Sequence, residues 1–166
     1  MTLEALNRLD AAAFTKSVGW VFEHSPWVAE RTAPARPFAD IASLHSAMVR
    51  QVENAALDEQ LQLLRGHPDL GTRARLSEAS NAEQSGAGLN NLTPEEFHRF
   101  TSLNESYRTK FGFPFLFAVK GSTKHDILSA LGQRLVSSPE IEFAEALRQV
   151  YRIAAFRLRD YLGSGA

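Results

Sequence analysis

The chain has 166 residues, 44% of them apolar, enough for one domain with a sizeable core and short for two. Its 18 basic and 19 acidic side chains leave a net charge of −1, so no global field draws it to nucleic acid or to an anionic membrane, and any anion must be held by a local site. The lack of cysteine removes disulfides, thiolate catalysis and cysteine metal sites, and suits a reducing compartment.

The first ten residues, with Glu4 and Asp10, lack the basic and apolar regions of a signal peptide. Leucines at 3, 6 and 9 predict a short first helix. Asp10 is placed to cap a second from Ala11 to about His24, presenting Phe14, Val18, Val21 and Phe22. Ser25-Pro26 reads as a cap and first helical residue before a short turn carrying Trp27 and Val28, and Thr32 to Pro37 reads as a loop. Asp40 caps a core helix through Ile41, Leu44, Met48, Val49 and Val52.

Leu57, Leu61, Leu63 and Leu64 predict the next helix, which Gly66 is suited to end in the left-handed region. Pro68 crowds the residue before it and pushes His67 toward extended angles. His67 therefore sits on a stiff corner just past a helix end. There an imidazole is either a solvated surface group or an acid–base catalyst with little conformational freedom to lose.

Over 72–85, Leu76, Ser80, Glu83 and Ala87 recur at intervals of three or four. A helix there puts Ser80, Glu83 and Gln84 on one face and ends at Gly86-Ala87-Gly88. Ser80 to Glu83 also matches a capping box, the alternative reading of the same residues. Thr93-Pro94-Glu95-Glu96 is a helix start with threonine as cap and Glu96 closing a box; Phe97, Phe100, Leu103 and Tyr107 follow, and Gly112 stops the helix.

Phe111 to Val119 has strong β propensity and no partner strand. It is expected to be buried and extended. Its backbone groups then meet helix ends or water, or they line a pocket for a ligand rich in amides. Asp126 to Leu135 reads as helix, and Ser138-Pro139 opens a last one to about Leu162. On that helix Phe143, Leu147, Val150, Ala154 and Tyr161 share a face. Arg157 falls about 20° from Val150, while Arg159 points the opposite way. An arginine centred on an apolar stripe needs a carboxylate, from the protein (Glu83 among the possible partners) or from a ligand.

The fold expected is all-α: a single compact domain over 1–166 with about eight helices and one buried extended segment. No metal is expected, because His24, His45, His67, His98 and His125 include no close pair at ligand spacing. Nor does any nucleotide-binding loop or nucleophile elbow occur.

Taken in order, G-H-P-D-L-G at 66–71, S-N-A-E-Q-S-G-A-G-L at 80–89, N-E-S-Y-R-T-K-F-G-F-P-F at 104–115 and R-I-A-A-F-R-L-R at 152–159 resemble one family, as do Ser25-Pro26-Trp27 and Arg36-Pro37-Phe38. It is the 2-oxo-4-hydroxy-4-carboxy-5-ureidoimidazoline (OHCU) decarboxylases of urate breakdown. The resemblance implies an all-helical homodimer, free of metal or organic cofactor, that decarboxylates an anionic ureidoimidazoline to (S)-allantoin. It implies His67 as the catalytic histidine, with Glu83 and Arg157 beside it. As substrate-binding residues it implies Pro68, Ser80, Glu83, Gln84, Phe115, Leu116, Phe117, Ala118, Val119 and Arg157. The ending Gly163-Ser164-Gly165-Ala166 is no peroxisomal address, so a cytoplasmic member is expected. Two other readings remain open at this level: a non-catalytic helical binding module, and a cofactor-free isomerase or hydrolase of a related ureido compound.

Overall fold

The computed structural model describes residues 1–70 and 91–163. The helix expected over 72–85, with Ser80, Glu83 and Gln84, lies outside the described residues. Within them the fold is all-α: eight α-helices and no strand. None of these helices is long and apolar enough to cross a membrane. Contacts cluster into two compact units, Met1–Gly66 with Val150–Ala166, and His67–Gln149.

In the first unit, α1 (Leu3–Asn7) and α2 (Ala11–Val18) begin where side-chain oxygens of Thr2 and Asp10 accept N–H bonds from Ala5 and Ala13, at 3.1 and 2.8 Å. The chain leaves the α geometry earlier than its periodicity predicts. Gly19–Val21 tightens into a 3₁₀ turn, and His24 takes a left-handed φ of 57°. Val21 and Phe22 stay buried all the same, because the tighter turn keeps them on the core side, and apolar spacing does not separate the two geometries. Helix α3 (Trp27–Thr32) follows, with the Ser25 carbonyl rather than its side chain accepting from Val28 N at 3.1 Å. The stretch expected to be a loop holds a second 3₁₀ turn, Ala33–Ala35, before a cis Arg36–Pro37 peptide.

Asp40 Oδ1 caps α4 (Ile41–Glu53) by accepting from Ser43 N at 2.7 Å. Helix α5 runs from Leu57 to Gly66. Gly66 does not end it in the left-handed region, since it is itself helical and the left-handed glycines among the described residues are Gly112 and Gly121. Pro68 makes such a cap unnecessary: by barring the helical region at His67 it stops the helix on its own. Phe14, Val18, Leu44, Met48, Val52, Leu63 and Leu64 are fully buried, each side chain contributing about 1.5–3 kcal/mol.

The second unit contains α6 (Pro94–Phe111) and α7 (Lys124–Leu135), and its last residues form the first part of α8 (Pro139–Gly163). Helix α6 has both halves of the Thr93–Glu96 capping box and ends at Gly112 in the left-handed region with φ 80°. Helix α7 starts two residues before the expected Asp126, because Thr123 is its cap and Asp126 closes a second box. Between them, residues 113–116, 118 and 119 are buried and belong to neither helix nor strand, a shorter stretch than the expected Phe111 to Val119: Phe111 ends α6, Gly112 is its exposed cap, and Phe117 is half-buried. Tyr107 packs edge-on against Phe113 and Phe115 with ring centroids 5.9 and 5.4 Å away.

Candidate active site

His67 is buried at 5% exposure, which removes the solvated-surface reading of that corner. Residues 67–69 lie between the end of α5 and Leu70 and carry no regular helix. The next charged side chain, Asp69, is also buried. Its Oδ1 accepts from Asn104 Nδ2 at 2.8 Å, and its Oδ2 pairs with Arg108 Nη1 at 2.7 Å. Asn104 and Arg108 stand one turn apart on α6, so one helix face meets both oxygens.

The segment 115–119 is pegged by two side chains. Arg134 Nη1 donates to the Leu116 carbonyl at 2.6 Å, and Gln149 Oε1 accepts from Ala118 N at 2.9 Å. The two groups are two residues apart, the spacing at which groups share an edge when a chain is extended. Phe117, between them, makes no backbone hydrogen bond among the described residues. The pegged edge is held by side chains rather than by helix ends or water, contrary to the simpler reading of the sequence.

Arg134 is itself buried, because Glu142 compensates its charge. Its Nε lies 2.7 Å from Glu142 Oε1, its guanidinium stacks 4.6 Å from the Phe115 ring, and the Tyr107 hydroxyl donates to the same carboxylate. Burial first, and the Glu142 carboxylate after it, push the Tyr107 phenol above its usual range and keep it a neutral donor.

In the first unit, Arg157 is 8% exposed on α8 and Arg159 is exposed, as the helical period predicts. The carboxylate it meets is Glu23, with Nη2 to Oε1 at 2.5 Å, while Nη1 reaches the Val21 carbonyl at 3.3 Å. Glu83, the partner considered from sequence, lies outside the described residues, as do Ser80 and Gln84. His67, Pro68 and Phe115 to Val119 belong to the second unit and Arg157 to the first. No three His, Asp or Glu side chains among the described residues are grouped to hold a metal ion.

Sequence reasoning passed over Asp69, Asn104, Arg134, Glu142 and Gln149. A signal existed for Asn104, since it falls on the buried stripe of Phe100 and Tyr107, where a polar residue requires a partner for the same reason that singled out Arg157.

The family model described as OHCU decarboxylase matches residues 7–159. The chain belongs to the OHCU decarboxylase family. It is 46% identical over 164 residues to the 2-oxo-4-hydroxy-4-carboxy-5-ureidoimidazoline decarboxylase of Haloferax volcanii, covering 99% of this chain and 98% of that protein. It is 47% identical over 161 residues to the uric acid degradation bifunctional protein PucL of Bacillus subtilis, covering 97% of this chain but 33% of the longer one. Among solved structures, a crystal structure of (S)-allantoin synthase superimposes with a TM-score of 0.83 at 36% identity, over 98% of this chain and 54% of that one. This member of the OHCU decarboxylase family thus spans about half of that chain. A crystal structure of OHCU decarboxylase in the presence of (S)-allantoin shares the fold, with a TM-score of 0.68 at 21% identity over 81% of this chain and 89% of that one.

Proposed function

We propose that this chain is a carboxy-lyase that converts OHCU to (S)-allantoin in urate degradation without a cofactor, with His67 as general acid–base. The observation that carries the reading is a buried imidazole on a proline-stiffened corner in a chain of this family.

The chemistry suits such a site. The substrate's carboxylate sits on a hydroxyl-bearing carbon next to an imidazoline C=N. When the bond to the carboxylate breaks and carbon dioxide leaves, the electron pair flows into that C=N, whose nitrogen takes up a proton. No added electron sink is required. The hydroxyl then loses its proton and becomes a carbonyl, while the ureido-bearing carbon gains one. His67 performs this exchange, taking the hydroxyl proton as neutral imidazole and returning a proton to carbon from one face.

Arg157 holds the anionic substrate in this proposal, and Glu83, with Ser80, Gln84 and Pro68, orients its polar edges. The backbone of Phe115, Leu116, Phe117, Ala118 and Val119 binds its amides. The pegging of Leu116 and Ala118 by Arg134 and Gln149 supports that role, since it stiffens the segment and leaves the Phe117 backbone groups without a hydrogen bond among the described residues. A homodimer in the cytoplasm belongs to the same reading.

The test is to generate OHCU from urate enzymatically in the presence of the purified chain and to follow the circular dichroism of the allantoin formed. The proposal expects rapid appearance of the (S) enantiomer. Racemic allantoin at the uncatalysed rate leaves a binding module, and a different product by NMR leaves an isomerase or hydrolase.

A further inference from the structure

The corner that carries His67 is braced from behind. Residues 67–69 lack the repeating backbone bonds that stiffen an element, so rigidity at His67 has to come from other sources. Pro68 supplies part of it by fixing one dihedral. Asp69 adds to it, because its two carboxylate oxygens are bound separately, Oδ1 by Asn104 and Oδ2 by Arg108. Consecutive Cα atoms are about 3.8 Å apart, so an immobilised Asp69 leaves the His67 backbone only two links of travel, one of them proline.

Asn104 commits its amide to this contact. A carboxylate only accepts, so Asn104 must turn Nδ2 toward it and Oδ1 away. That Oδ1 is buried and has no hydrogen-bond donor among the described residues. An apolar side chain at this position would remove that acceptor but take the Asn104 donor away from the buried Asp69 Oδ1. The orientation of the Asn104 amide is thus set by Asp69.

We infer that Asp69, held by Asn104 and Arg108, is a positioning residue that fixes the His67 imidazole for proton transfer. This rests on the acid–base role of His67 proposed above. The brace acts through the backbone of the corner and touches no substrate.

The experiment uses Asp69→Asn, Arg108→Met and the double variant in the full chain. In each, kcat and KM are measured across pH, along with the Cε1–Hε1 NMR signal of His67, assigned by its loss in His67→Ala. Asp69→Asn should lower kcat about tenfold or more with little change in KM. It should also shift the His67 titration and broaden its signal while that of His125 on α7 stays put. Adding Arg108→Met should change little further, since both act through one link.

A kcat and a His67 signal both unchanged in a folded Asp69→Asn protein overturn the brace. So does a fall in stability with kcat and pH profile intact. Should Asp69→Asn fail to fold, Arg108→Met, whose side chain is 54% exposed, takes its place, and the same outcomes support or overturn the brace. A wild-type chain that forms no allantoin overturns the decarboxylase reading instead, and the NMR comparison still judges the brace.

Discussion

Arg157 and Glu23 lie 134 residues apart in sequence and meet at 2.5 Å, the guanidinium buried and the carboxylate 21% exposed. The asymmetry governs what each can do. Glu23 can rehydrate when its partner is removed, and Arg157 cannot.

Arg157→Ala should therefore destabilise the chain by about 1–3 kcal/mol, less than the loss of a fully buried pair. If Arg157 also holds the substrate, the lost charge-assisted contact of about 1.5–3 kcal/mol lowers kcat/KM about 10- to 150-fold. Arg159→Ala, on the exposed side of the same helix, should leave both within error. Urea unfolding beside turnover decides the matter. A destabilised Arg157→Ala protein with normal turnover makes the pair purely structural.

For His67, removal of a general acid–base should lower kcat by about 10²–10⁴ with the far-ultraviolet spectrum unchanged. Turnover near wild type in His67→Ala would remove the catalytic assignment.

Arg134 offers a stability prediction independent of the reaction. Its loss strands Glu142, which is 1% exposed, and frees the Leu116 carbonyl, so Arg134→Leu should cost about 3–5 kcal/mol in chemical unfolding. Tyr107→Phe keeps the Arg134–Glu142 pair and removes one hydrogen bond to a carboxylate, which should cost about 1.5–3 kcal/mol. Equal losses in the two variants would contradict the geometry.

Glu96 predicts a pH dependence. The Lys124 ammonium first, then the Thr93 N–H, pull its carboxyl from an ordinary 4.5 down to about 2. A carboxyl depressed on folding stabilises the fold fully above its unfolded value and loses that contribution as pH falls through its folded one. The melting temperature of the wild type should exceed that of Glu96→Gln by a constant margin above pH 5. That margin should shrink between about pH 4.5 and 2. A margin that persists at pH 2 would place the stabilisation elsewhere.

Helix starts and stops were legible because capping is settled within three or four residues. Asp10, Asp40 and Thr93 each cap the helix predicted for them, and Gly112 ends α6. Where the expectation slipped, a second local device was at work: the 3₁₀ turn at Gly19–Val21 shortened α2, Thr123 began α7 early, and Pro68 did the task assigned to Gly66.

By itself the sequence determined that Arg157 lies inside and Arg159 outside its helix, since this depends only on the angle between residues. It also determined that the segment after Gly112 pairs with no strand among the described residues. Only the tertiary structure decided who meets whom: Glu23 for Arg157, Asn104 and Arg108 for Asp69, Glu142 for Arg134, and Arg134 and Gln149 for the Leu116 and Ala118 backbone. Burial demands that a charge or a backbone group be satisfied, but any of several partners meets that demand. The choice among them rests on distances across the fold, which no local pattern of residues encodes.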